Sequence, residues 1–142
     1  MLKRRPILIV FLIILVIFQG VSGVFGGAGL IIDPSGKSLQ IPLEWLNGSH
    51  FDNYFIPGIV LFFVLGITPL IISFGLIKRK YWSWYGSLFW GFALIIWILV
   101  EIIVIGFQAD PPLQLIYGIV GVAILMLTFT RSVKNYFLSA NN

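Results

Sequence analysis

In a chain of 142 residues with five acidic side chains and one histidine, the residues able to do chemistry fall in two places. Glu101 interrupts the apolar run WGFALIIWILVEIIVIG, and the segment PLEWLNGSHFDNYFIPG, Pro42 to Gly58, holds Glu44, Trp45, His50 and Asp52. An ionisable group inside an apolar run is costly unless it faces protein or a water-filled cavity, which makes Glu101 the leading candidate. Three chemistries are open to it. The carboxylate could hold a proton or cation; it could accept a hydrogen bond from His50, Lys37 or the Trp45 indole; or it could join His50 and Asp52 around a metal. One histidine among scattered acids lacks any recognisable ligand spacing, so no metal or other cofactor is expected. No nucleophile with a base, Gly-rich phosphate loop or paired carboxylates accompanies it, which weighs against catalysis. On a 3.6-residue period Trp90, Leu94, Trp97 and Glu101 share a helix face. Aromatic rings below and a polar cap above would form a small pocket, with Glu101, Trp97, His50, Trp45 and Asp52 as the candidate ligand-binding residues.

The elements that position these residues follow from composition. The chain is 59% hydrophobic and 10% charged, against roughly 25% charged in soluble domains. It reads as a single membrane domain, 1–142. The net charge of +4 resides in short clusters between apolar runs, whereas a nucleic-acid binder spreads basic residues over a polar surface. The absence of cysteine excludes disulfides, thiolate metal sites and CxxC redox chemistry, and with them the four-helix quinone-linked thiol oxidoreductases. A first span covers about 7–30, whose helix would extend about 36 Å, enough to cross a hydrocarbon core of roughly 30 Å. Further spans cover about 54–77, 84–106 and 113–129. Barrel strands alternate and are about half as long. The expected fold is therefore an all-α membrane protein, a four-transmembrane-helix bundle with a short outer cap over about 31–53.

Charge sets the orientation. Lys3, Arg4 and Arg5, then Lys78, Arg79 and Lys80, then Arg131 and Lys134 fall on one side of such a bundle. Lys37 stands alone on the other, with Asp33, Glu44, Asp52 and Asp110. The positive-inside rule then predicts cytoplasmic N- and C-termini, an outward cap, and residence in the cell (inner) membrane. Tyr81, Trp82, Trp84 and Tyr85 suit the inner interface, and Trp45 and Tyr54 the outer one. The N-terminus, KRR followed by ILIVFLIILVIF and GVSG, also fits a signal peptide; continued apolarity through VFGGAGLII favours an uncleaved anchor.

Within the cap, apolar runs flank Asp33-Pro34-Ser35-Gly36, a type I turn sequence that fits a short hairpin. Pro42 can open a helical turn through Leu46 that Asn47-Gly48 ends, laying Leu43, Trp45 and Leu46 on the interface. Ser49 or Asp52 is expected to cap the second span, and Asn47-Gly48-Ser49 matches the glycosylation triplet. Small residues mark close helix approaches: Gly23 with Gly27, Ser87 with Gly91, and Gly118 with Gly121. Pro69 is expected to kink the second span, with Thr68 satisfying nearby backbone.

The string GGAGLIIDPSGKSLQIPLEWLNGSHFDNYFIPGIVLFFVLG, Gly26 to Gly66, resembles small uncharacterised bacterial integral-membrane proteins. In these a Gly-Gly helix end, a P-G turn, an L-x-x-P segment, a G-S-x-F stretch and an I-P-G helix start precede a second span. Trp97 to Glu101 matches a W-x-x-x-E in their third span. The resemblance implies four spans and no assigned activity. Small multidrug transporters are less similar, since their membrane glutamate lies in the first span. Two functions follow from the residues. The first is a non-enzymatic membrane protein that binds a small ligand or a partner, whether another membrane protein or a second copy, besides the lipid bilayer and with no nucleic acid. The alternative is a small proton- or cation-coupled transporter using Glu101. A metal-dependent enzyme built on His50, Asp52 and Glu101 is a third and weaker reading.

Overall fold

Without water to serve backbone N–H and C=O groups, an apolar chain must satisfy them internally, and helices are the local solution. The structure, a computed structural model, describes residues 5–108 and 113–139. Lys3, Arg4 and Asp110, which entered the charge pattern, lie outside them. The described residues form six α-helices and no strand: α1 Ile7–Ile32, α2 Phe55–Phe62, α3 Thr68–Ile77, α4 Tyr81–Ile105, α5 Leu113–Phe129 and α6 Arg131–Leu138. A π-helical turn, Phe63–Ile67, joins α2 to α3 in one continuous rod, Phe55–Ile77. That rod, α1 and α4 are each long and apolar enough to cross a membrane. A fourth span arises if α5 and α6, bent by 64°, count as one.

α1 packs along the full α2–π–α3 rod, α3 meets α4, α4 pairs with α5, and α5 returns to α1. Glycine makes the first of these contacts close. A methyl group built on Gly23 would meet the Leu65 carbonyl oxygen and stand 2.7 Å from the Gly66 nitrogen, and one on Gly27 would meet the Phe62 backbone. Reciprocally, a methyl on Gly66 would lie 2.7 Å from the Val24 nitrogen. The Gly23/Gly27 spacing thus marks a backbone-to-backbone seam.

The π turn changes what Pro69 does. Thr68 N–H bonds Phe63 O rather than Val64 O, and in this register residue 69 would serve Val64, but proline has no N–H. The orphaned Val64 carbonyl is taken by the Trp90 indole Nε1 at 2.9 Å. Thr68 Oγ1 donates to Phe63 O at 2.9 Å. A second tryptophan repeats the device: Thr130 is extended (φ −61°, ψ 144°), α5 stops, and Trp84 Nε1 donates to the freed Thr128 carbonyl at 2.7 Å. Beyond the break α6 is amphipathic, burying Val133, Tyr136 and Phe137 and exposing Arg131 and Lys134. Its fold-back was not legible in the apolar pattern.

At the same basic end α3 closes with Lys80 N–H on Gly75 O and Arg79 N–H on Leu76 O, a Schellman arrangement in which Arg79 holds a left-handed φ of 56°. Arg79 Nε donates to Tyr136 O at 3.0 Å, and its guanidinium lies 4.4 Å from the Tyr136 ring centre, so the turn grips α6. Arg5 donates to Ile77 O at 2.8 Å, joining the start of α1 to the end of α3.

The cap departs from the expected hairpin. Asp33-Pro34-Ser35-Gly36 does turn, with Gly36 N–H on Asp33 O at 3.1 Å. Gly36 then takes φ 81° and the chain winds into a 3₁₀ turn, Lys37–Leu39, instead of returning as a strand. The Asp33 carboxylate explains the difference: it accepts from Ser35 Oγ at 2.6 Å and from Ser38 N–H at 3.0 Å, bonds that hold the chain curled. The expected turn after Pro42 is present as a 3₁₀ turn, Leu43–Leu46. The expected caps on α2 are replaced by Asn53, whose Oδ1 accepts from Phe55 N–H at 2.9 Å. Ser49 instead closes the preceding turn, donating to Leu46 O at 2.7 Å.

Candidate functional site

Near the cap, α2 packs on α1 but makes no comparable contact with α4 or α5. A cavity of about 470 Å³ occupies the gap, within the roughly 300–1,000 Å³ of small-molecule sites. Its walls are apolar residues of α1, α2, α4 and α5, with Leu65 and Leu94 at its deep end and Leu46, Ile41 and Phe51 of the cap above. Ile56 on α2, Val100 on α4, Leu113 on α5 and Leu39 and Gln40 of the cap line it while remaining exposed, so the cavity is bounded in part by surface residues. On the opposite side of its floor the protein is solid: Leu12, Val16, Leu76, Trp90 and Ile124 are all 0–1% exposed.

Polar groups enter this space chiefly at two levels, with the Ser22 hydroxyl of α1 between them. Glu101 and Gln114 stand near the cap. Gln114 Nε2 donates to Gly106 O at 3.1 Å and to Glu101 Oε1 at 3.4 Å, while its Oε1 accepts Gln108 N–H at 2.7 Å. Gln114 therefore clips the end of α4 to the start of α5, and its bond to Glu101 is long for a charge-assisted contact. Deeper, Gln19 of α1 lines the cavity at 3% exposure, and its Oε1 has no hydrogen-bond partner. Gln19 lies thirteen residues from the end of α1 and Glu101 four from the end of α4. At about 1.5 Å per residue their levels differ by about 13 Å.

Tyr54 ties the roof to the helices. Its O–H donates to Pro42 O at 2.7 Å and its N–H to Pro34 O at 2.9 Å, while Gly36 packs against its ring. Burial first, then the negative charges of Glu101 and Glu44, push the phenol up to about 12. Asp33, at the edge of the roof, is held below its ordinary value, chiefly by the Ser35 hydroxyl.

Of the residues singled out in the sequence, Glu101, Trp97 and Trp45 line the one cavity. His50 and Asp52 do not. The Ser49 turn throws both outward, exposed, into a separate depression with Pro34, Asn53 and Phe55. No hydrogen bond joins Glu101 to His50, Lys37 or Trp45, and among the described residues no three His, Asp or Glu side chains group closely enough for a metal ion. Gln19, Gln114 and Tyr54 were missed. Gln19 carried a signal, being the one carboxamide in the run ILIVFLIILVIFQGVSGVFGGAGLII. Comparisons with protein-family models, with curated proteins and with solved structures find no match, so the chemistry of the site is read from its own residues.

Proposed function

We propose that this chain is a four-span membrane protein that binds a small amphipathic ligand, without turning it over, in the cavity beneath its outward cap. One observation carries the reading: the Gln19 carboxamide oxygen is buried without a partner against a mostly apolar cavity whose lining also includes Glu101. Buried polar groups are ordinarily paired. A bound molecule completes the Gln19 oxygen and reaches the Glu101 carboxyl, while the wall supplies hydrophobic contact. Transport by Glu101 is the weaker alternative, because the packing below the cavity floor is closed and its buried polar groups, among the described residues, are only the hydroxyls of Ser73, Ser83, Ser87 and Thr128.

The cap faces outward and both termini lie in the cytoplasm of a cell (inner) membrane, with the basic end of the bundle inside. Since the chain has no cysteine, single cysteines at Lys37 and Lys134 test this: an impermeant maleimide should label only the first in intact cells. Labelling of the second would reverse the topology. For binding, native mass spectrometry of gently solubilised protein should show a bound small molecule at one per chain. Val60→Phe, which fills the cavity from α2, should abolish it. The reading fails if both proteins carry the same bound masses.

A further inference from the structure

The two polar levels specify more than an apolar guest. Among the described residues no lysine, arginine or histidine lines the cavity, and the ionised carboxylate of Glu101 is an acceptor alone. An anionic headgroup would meet a like charge there with no cation to offset it. A donor headgroup fits. At the deep end a purely hydrocarbon tail would leave Gln19 Oε1 unpaired, at a cost that a second donor on the ligand removes. The levels are about 13 Å apart by helical rise, a span that a zigzag of about ten atoms with bonds of about 1.5 Å covers. At roughly 30 Å³ per water-sized group, the 470 Å³ cavity accommodates such a chain. Two of its exposed lining residues, Ile56 and Val100, are apolar, which suits arrival from the membrane.

Building on the binding function above, we propose that the cavity recognises a membrane-dissolved, single-chain amphiphile with an amine at its outer end, received by Glu101. A second hydrogen-bonding group about ten atoms further along meets Gln19. Recognition is thus two-point, and each point has its own residue. The Gln19 carboxamide also provides a donor, so a hydroxyl on the ligand is served in both directions.

The test uses three synthetic probes on the full chain in zwitterionic nanodiscs: 10-amino-1-decanol, decylamine and decanoic acid, with affinities from native mass spectrometry. The wild type should bind the amino alcohol about tenfold more tightly than decylamine, the scale of one buried hydrogen bond completed, and should bind decanoic acid least. Gln19→Leu should remove the preference for the amino alcohol over decylamine and leave amine over acid. Glu101→Gln should do the reverse. Equal binding of all three probes, still blocked by Val60→Phe, overturns the two-point chemistry while the cavity remains a binding site. Binding unaffected by Val60→Phe overturns both. A water-filled pocket, seen as no saturable binding of any probe, overturns both as well.

Discussion

Replacing Gly23 by alanine tests the seam that sets the cavity's back wall. The added methyl would meet the Leu65 carbonyl oxygen, with the Leu65 carbonyl carbon at 2.5 Å and the Gly66 nitrogen at 2.7 Å, all backbone atoms with no rotamer to escape into. Reaching ordinary carbon contact near 3.5 Å requires α1 and the α2–π–α3 rod to part by about 1 Å. A radial gap of about 0.5–1 Å forfeits a quarter to a half of each atom pair's ~0.1–0.2 kcal/mol. For a seam making about as many contacts as one buried leucine, some 40–60, the loss is about 2–3 kcal/mol, which agrees with the usual cost of overpacking. Gly26→Ala is the control, since its methyl would meet only the Leu61 Cδ2 atom at 3.2 Å, the end of a flexible side chain. Both variants gain the same helix propensity, so their difference isolates the backbone clash. Reversible unfolding in mixed micelles by sodium dodecyl sulfate should show Gly23→Ala about 2 kcal/mol less stable than Gly26→Ala. If the two agree within about 0.5 kcal/mol, the seam is not limiting and the packing reasoning is wrong.

Trp90→Phe keeps an aromatic ring but removes the indole N–H and part of the buried volume, leaving the Val64 carbonyl of the π turn unpaired. It should cost about 1–3 kcal/mol in the same unfolding assay. Tyr54 has a folded-state pKa raised from 10.0 to about 12, so above pH 10 the unfolded chain ionises first and stability falls as pH rises. Solvent screening of the partly buried phenol keeps the slope below about 1.4 kcal/mol per pH unit until the folded form titrates. Tyr54→Phe should flatten that alkaline limb, and an unchanged limb would assign it to another group. Asp33 runs the other way: its lowered pKa stabilises the cap at neutral pH, and protection of the cap amides from hydrogen exchange should drop as pH falls through the carboxylate range, but not in Asp33→Asn. Arg79→Gly relieves a left-handed residue worth about 1 kcal/mol but removes the guanidinium bond to Tyr136 O. Faster exchange confined to residues 131–138 is the expected outcome; unchanged exchange there would mean the turn does not hold α6.

Much of the helix inventory was readable because its causes are local. Uninterrupted apolar runs can satisfy backbone groups only as helices, and the observed boundaries lie within three residues of the expected spans. Gly23 and Gly27 could be read as an approach site because small residues at that spacing admit a neighbouring backbone, and Glu101 stood out because a lone carboxylate in hydrocarbon needs a reason. The cap went differently. Asp33 has the same turn sequence in a hairpin and in a 3₁₀ turn, and only the meeting of its two carboxylate oxygens with Ser35 and Ser38 selects the latter.

Other features existed only once the helices were assembled. The π register that shifts Pro69's orphan from Leu65 to Val64, and the two indoles that repair freed carbonyls, depend on which helix α4 faces. His50 and Asp52 share a short segment with Trp45, yet after the turn at Ser49 they line a separate depression from the one Trp45 lines. The cavity itself is a difference between packings: α2 follows α1, α4 follows α5, and the space left between the pairs is bounded by residues up to about a hundred positions apart in sequence. Apolar runs mark which helices are long and apolar enough to cross a membrane. Where helices fail to touch is decided by the sizes of side chains on several of them at once, and that is why the site belongs to the tertiary structure.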